Sequence, residues 1–129
     1  MLRITGLDHV GLTVTDMDRS LDFYRRLGLE VLRTSGPDES GIRSAVIKVG
    51  AQELNVFSRP DLVAGDWPED AVGVHHFCLR VEAGSAGELV DGVRRAGLEI
   101  VRGPTPRRDG VSLFLADPDG VRVELQIFH

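Results

Sequence analysis

YRRLGLEVLR, residues 24–33, returns as VRRAGLEIVR, residues 93–102. The Arg-Arg pair, the glycine, the Leu-Glu pair and the closing arginine recur at a constant spacing of 69. Upstream, LDHVGLTV (7–14) resembles VHHFCLRV (74–81), and His9 falls against His76. A recurrence of this length reads as two related halves of one chain. The first module is 1–58 and the second is 74–129. The segment between them, RPDLVAGDWPEDAVG (59–73), carries two prolines and several acids and reads as a linker. Its Trp67, the single tryptophan, is expected to pack on the domain or to stack on a ligand.

Each half reads as a strand, a helix and three more strands. In the first, Val10, Leu12 and Val14 alternate with His9, Gly11 and Thr13 over residues 8–14. A helix follows over 17–27, with Asp16 as N-cap, an apolar stripe of Met17, Leu21, Tyr24 and Leu27, and Gly28 as the stop. Strands are expected at 29–34, 42–49 and 52–58. In the second half, Ser85 and Glu88 form a capping box. Ala86, Leu89, Val90 and Val93 make the stripe, and Gly97 ends the helix. Strands are expected at 74–81, 98–102, 111–116 and 121–128, with DPDG (117–120) as the last turn.

The strands have two unlike faces. In VRVELQIF (121–128), Val121, Val123, Leu125 and Ile127 share one face, and Arg122, Glu124, Gln126 and Phe128 share the other. In strand 52–58, Leu54 and Val56 face the helices, and Glu53, Asn55 and Phe57 face away. In VHHFCLRV, His76, Cys78 and Arg80 lie on the polar side, and parity sends His75 to the core with Phe77 and Leu79. By the repeat, Asn55 is the counterpart of Glu124, and His9 is the counterpart of His76. Two imidazoles and one carboxylate, His9, His76 and Glu124, suit a divalent transition metal with open coordination positions. The candidates are Fe, Mn, Ni, Co and Zn. Asn55 is a weak oxygen ligand at best, and a register slip of two would bring Glu53 there instead. Cys78 and Gln126 are expected to line the same cavity. Glu53, on that face without a metal role, is the candidate general base.

The chain has 129 residues, enough for one domain, and is 42% hydrophobic and 27% charged, enough for an ordinary core. Its formal charge of −5 and pI near 5.3 argue against nucleic acid and anionic membranes as general partners. Arg107-Arg108 is a local basic exception that reads first as an exposed loop pair and, as the alternative, as an anion contact. The lone cysteine, Cys78, forms no intramolecular disulfide and fits a reducing compartment. Asp8 and His9 interrupt the first apolar stretch, so neither a signal peptide nor a membrane span is expected, and the expected location is cytoplasmic.

Three stretches, LDHVGLTVTDMDRSLDFYRRLGLEV, VHHFCLRV and FLADPDGVRVELQIF, resemble the vicinal oxygen chelate superfamily. That group includes glyoxalase I, extradiol dioxygenases, methylmalonyl-CoA epimerase, fosfomycin-resistance thiol transferases and bleomycin resistance proteins. The resemblance implies an α+β fold of two βαβββ modules, forming a curved, mostly antiparallel half-barrel with helices outside, usually in a homodimer. It carries the metal positions onto His9, His76 and Glu124, with Glu124 also catalytic, and a fourth position onto Asn55. It also implies that Ser112, which matches a family serine, and Phe114, where the thiol transferase has tyrosine, contact substrate. The implied activity is metal-dependent, on a small substrate that chelates through adjacent oxygens, with glyoxalase-like isomerase or lyase chemistry ahead of dioxygenase chemistry. The alternative is a metal-free protein that binds a small molecule such as an antibiotic.

Overall fold

The computed structural model describes residues 1–63 and 72–129; Trp67 and most of the expected linker lie outside the described residues. The chain divides into two units, Met1–Val63 and Ala64–His129. Among the described residues each unit has four strands and one helix, in the order the sequence predicts.

In the first unit the elements are β1 (His9–Val14), α1 (Met17–Arg26), β2 (Glu30–Ser35), β3 (Ser44–Val49) and β4 (Gln52–Ser58). The sheet order is β1-β4-β3-β2, with β1 parallel to β4 and the other pairs antiparallel. Alternation does what it should: Leu12, Val14, Ala45, Ile47, Leu54 and Val56 are buried, together with Met17, Leu21, Phe23 and Tyr24 of α1. The Asp16 carboxylate accepts the Arg19 amide at 3.0 Å and satisfies one of the helix's free donors. Gly28, at φ 90°, ends the helix in a conformation that favours glycine.

The second unit repeats the plan with β5 (Phe77–Arg80), α2 (Ala86–Arg95), β6 (Arg102–Arg107), β7 (Gly110–Ala116) and β8 (Arg122–Phe128). Its order, β5-β8-β7-β6, and its mixture of one parallel and two antiparallel pairs are the same. Leu113, Leu115, Val123, Leu125 and Ile127 are buried with Leu89 and Val93 of α2. Ser85 caps α2 by accepting the Glu88 amide at 3.2 Å. The Glu88 carboxylate reaches back one residue further than a capping box requires, accepting from the Gly84 amide at 2.8 Å. The turn before β8 is built on Asp117, whose Oδ1 accepts the amides of Asp119 and Val121 at 2.9 Å each.

Two strand expectations change. β5 begins at Phe77, so His75 and His76 precede the ladder, and His75 is exposed rather than in the core. Parity holds only where the pleat is enforced by a neighbour, and that begins one residue after His76. The strand expected at 98–102 is found at Arg102–Arg107 instead. Pro104 and Pro106 lie within β6, which is an edge strand with a register shift between Arg102 and Thr105, and edges and irregularities tolerate proline.

Candidate functional site

The polar face of the second sheet is assembled by register. Cys78 on β5 pairs with Glu124 on β8, and Glu124 pairs with Phe114 on β7. Ser112 pairs with Gln126 two residues along. Each of these side chains therefore stands on the face opposite Leu113, Leu115, Val123 and Leu125, which occupy the core. Glu124 is a carboxylate at 8% exposure in the middle of this face. A carboxylate so removed from water needs charged or hydrogen-bonding company.

That company is specific. His76 Nε2 lies 3.5 Å from Glu124 Oε1. The other ring nitrogen, Nδ1, shares a hydrogen bond of 2.8 Å with His75 Nδ1. The His76 ring meets Phe114 edge to face at 5.2 Å, a contact that fixes its tilt. So His75 engages one nitrogen and Phe114 the ring, while the remaining nitrogen faces the carboxylate. On the other side, Arg107 Nη2 lies 3.5 Å from Glu124 Oε2, and Arg107 Nε donates to Ser112 Oγ at 2.7 Å. Cys78 is exposed as a residue, yet burial of its thiol and the adjacent Glu124 carboxylate push its pKa up to about 12. It is therefore a protonated, unreactive thiol at neutral pH.

The predicted residues divide accordingly. His76, Cys78, Ser112, Phe114 and Glu124 are brought together around one carboxylate. Gln126 shares the face, but its amide donates to Asp109 Oδ1 at 3.2 Å. In the first unit, His9 is exposed at the start of β1 and its Nδ1 bonds Asp8 Oδ2 at 2.8 Å. Glu53 pairs with His9 on one side and Lys48 on the other, and Asn55 pairs with Gly11 and Val46. Asn55 Oδ1 is buried without a hydrogen-bond partner. Among the described residues no three His, Cys, Asp or Glu side chains are placed so that they could together hold a metal ion.

Arg107 is the contact that sequence reading missed. As half of an Arg-Arg pair it read as a loop charge or an anion contact, and not as the partner of Glu124. The signal that could have found it is the strand beyond the two prolines, which puts position 107 two residues from Thr105 and on the ladder with Gly110.

Within the second unit, His76 and Glu124 are the two donors that could contribute to a divalent-cation site. His76 offers an imidazole nitrogen facing a buried carboxylate, and its opposite nitrogen is engaged by the His75 ring.

Comparison with known proteins agrees with the architecture. The chain is 32% identical to the lactoylglutathione lyase of Escherichia coli O157:H7, over 91% of this chain and 88% of the relative. The crystal structure of a glyoxalase family protein from Enterococcus faecalis is 26% identical, with a TM-score of 0.76 over 94% of this chain and 96% of that one. A crystal of the E126Q mutant of the fosfomycin resistance protein FosX from Listeria monocytogenes, complexed with Mn(II) and 1S,2S-dihydroxypropylphosphonic acid, shares the fold. Its TM-score is 0.71, at 20% identity over 96% of this chain and 93% of that one. Residues 6–125 match the model of the Glyoxalase/Bleomycin resistance protein/Dioxygenase superfamily, and the chain belongs to that family.

Proposed function

We propose that this chain is a metal-dependent enzyme whose cation is held by His9, His76 and Glu124. Its substrate is a small molecule that presents two adjacent oxygens. The observation that carries the reading is the buried Glu124 carboxylate facing His76 Nε2 at 3.5 Å, with the imidazole held from behind by His75. His9 enters as the repeat counterpart of His76 and by the family resemblance. The name of the E. coli relative supports lyase chemistry of the glyoxalase kind ahead of oxygenase chemistry. The Mn(II) in the FosX crystal supports a divalent ion. Fe, Mn, Ni, Co and Zn are all compatible with imidazole and carboxylate donors.

A divalent ion bound there would act as a Lewis acid on the substrate's oxygens. The residues supply the rest. Glu53, half-buried beside His9 on the ladder, is proposed as the base that takes a proton from the carbon next to a carbonyl. Asn55 offers its unpartnered Oδ1 to substrate or cation. Phe114 and Ser112 shape the substrate's bed, and the protonated Cys78 thiol lines it without attacking. Homodimeric assembly is proposed from the family resemblance, and a cytoplasmic location from the lone cysteine.

A second reading, a metal-free small-molecule binder, is favoured by one observation: Arg107 already supplies a counter-charge to Glu124. Metal analysis of protein purified without chelator separates the two. Stoichiometric metal, lost in His76→Ala, is the expected result. Protein that holds no metal and gains no thermal stability from added Mn, Fe, Ni, Co or Zn overturns the enzyme and leaves the binder.

A further inference from the structure

We propose that α2 is a hinged flap: it opens from the second unit while the sheet of that unit stays folded. The inference does not depend on the metal-dependent reading. Its basis is the contrast between two helices of equal length at the same place in the repeat. α1 buries Met17, Ser20, Leu21, Phe23 and Tyr24, and the Phe23 and Tyr24 rings meet edge to face at 5.0 Å. α2 buries Leu89 and Val93 alone. Position by position, Ala86 stands for Met17, Gly92 for Phe23 and Val93 for Tyr24. Leu89 in place of Ser20 returns part of the lost apolar surface. A short helix is held mainly by burial of its apolar face, so α2 is the less firmly docked of the two.

The helix itself is weaker too. α1 contains no glycine, whereas Gly87 and Gly92 lie inside α2. Neither has a positive φ, and a Cβ would meet nothing closer than Ser85 Oγ at 3.7 Å from Gly87 and nothing within 4 Å at Gly92. They lower helix propensity where neither backbone nor space requires glycine. Both ends are loosely attached. Upstream, a cavity of about 620 Å³ adjoins the turn into the helix, lined in part by Val81, Glu82, Gly84, Glu88 and Phe128. Downstream, β2 rejoins its sheet at Glu30, but the counterpart stretch Leu98–Val101 stays outside the strand that begins at Arg102, and Val101 is 54% exposed. The Val101 amide, donating to the Phe114 carbonyl at 2.8 Å, marks where the chain is pinned again. Few anchors, interior glycines and open ends put a segment at the low-stability end of local opening. Leu113, Leu115 and Val123 of the sheet are fully buried by contrast. Opening of α2 uncovers the backs of β7 and β8, whose fronts carry Phe114 and Glu124. The flap is therefore the part of the second unit whose position loosens or tightens that face.

Amide hydrogen exchange of the full chain tests this. After correction for intrinsic rates, α2 amides should exchange at least about tenfold faster than those of α1 and those of β7 and β8. Low concentrations of urea should speed the β7 and β8 amides steeply, because they exchange through an opening that exposes much surface. The α2 amides should respond little, because the flap exposes less. The double variant G87A/G92A restores helix propensity at two open positions and should slow α2 exchange about twentyfold, from about fivefold at each. Exchange of α2 in step with β7 and β8, at the same rate and with the same urea dependence, would show that the unit opens as a whole and overturn the flap. Exchange of α2 as slow as that of α1, or unchanged in G87A/G92A, would overturn it equally.

Discussion

The two units have the same plan and different centres. Position 55 on β4 and position 124 on β8 are equivalent by strand order and register, each flanked by an N-terminal parallel strand and an antiparallel neighbour. In the first unit the centre is Asn55, between Gly11 and Val46, with a buried oxygen that has no partner. In the second it is Glu124, between Cys78 and Phe114, with His76 and Arg107 at its two oxygens. One fold thus carries a neutral, sparsely contacted centre and a charged, fully attended one. The scaffold sets where a polar group can stand, and the side chains around it decide whether that group carries charge.

The comparison can be broken most sharply at its two centres. Glu124→Gln should weaken divalent-metal binding by more than about a hundredfold, beyond what loss of an outer-shell partner costs, whereas Asn55→Ala should change it by less than about tenfold. Metal titration by calorimetry reads both. Equal losses would mean that the centres are not functionally distinct.

Glycines sharpen the contrast in stability. A Cβ on Gly110 would run into the Ile127 carbonyl of the adjacent strand, so Gly110→Ala should cost about 2–4 kcal/mol in urea unfolding. Gly11, the counterpart of Cys78, has open space around its Cβ position, so Gly11→Ala should shift stability by no more than about 0.5 kcal/mol.

The thiol gives a pH test. Cys78 is raised from 9.0 to about 12, chiefly by burial and then by Glu124. Between those values the unfolded chain releases a proton that the folded chain keeps, so stability falls as pH rises through that window. At pH 8, metal-free protein should react with iodoacetamide about a thousandfold more slowly than an exposed peptide thiol, from its smaller thiolate fraction. Glu124→Gln should speed that reaction in proportion to the carboxylate's share. A Cys78 that reacts like a free thiol would show that the second centre is open to water.

Much of this was legible in the sequence. The repeat placed both helices, their N-caps Asp16 and Ser85, and the alternation that buries Leu54, Val56, Val123 and Leu125. These features are local, set by period and by capping chemistry. The misses are not local. His75 was assigned by parity, which assumes a ladder that starts only at Phe77. Arg107 was hidden behind two prolines, because proline's meaning depends on whether a strand is at the edge, and strand order is not written in one strand's residues. The ion pair of Arg107 with Glu124 joins residues on strands separated by β7, a relation that only sheet order supplies. The register choice between Asn55 and Glu53 was open in sequence; the ladder sets Asn55 in the row equivalent to Glu124.

The central claim is that the second centre, not the first, governs the metal. The most direct measurement is the metal content of wild type, Glu124→Gln and Asn55→Ala, purified side by side without chelator. Metal in wild type and Asn55→Ala, with none in Glu124→Gln, is the predicted result. Equal metal in all three, or loss in Asn55→Ala alone, would contradict it.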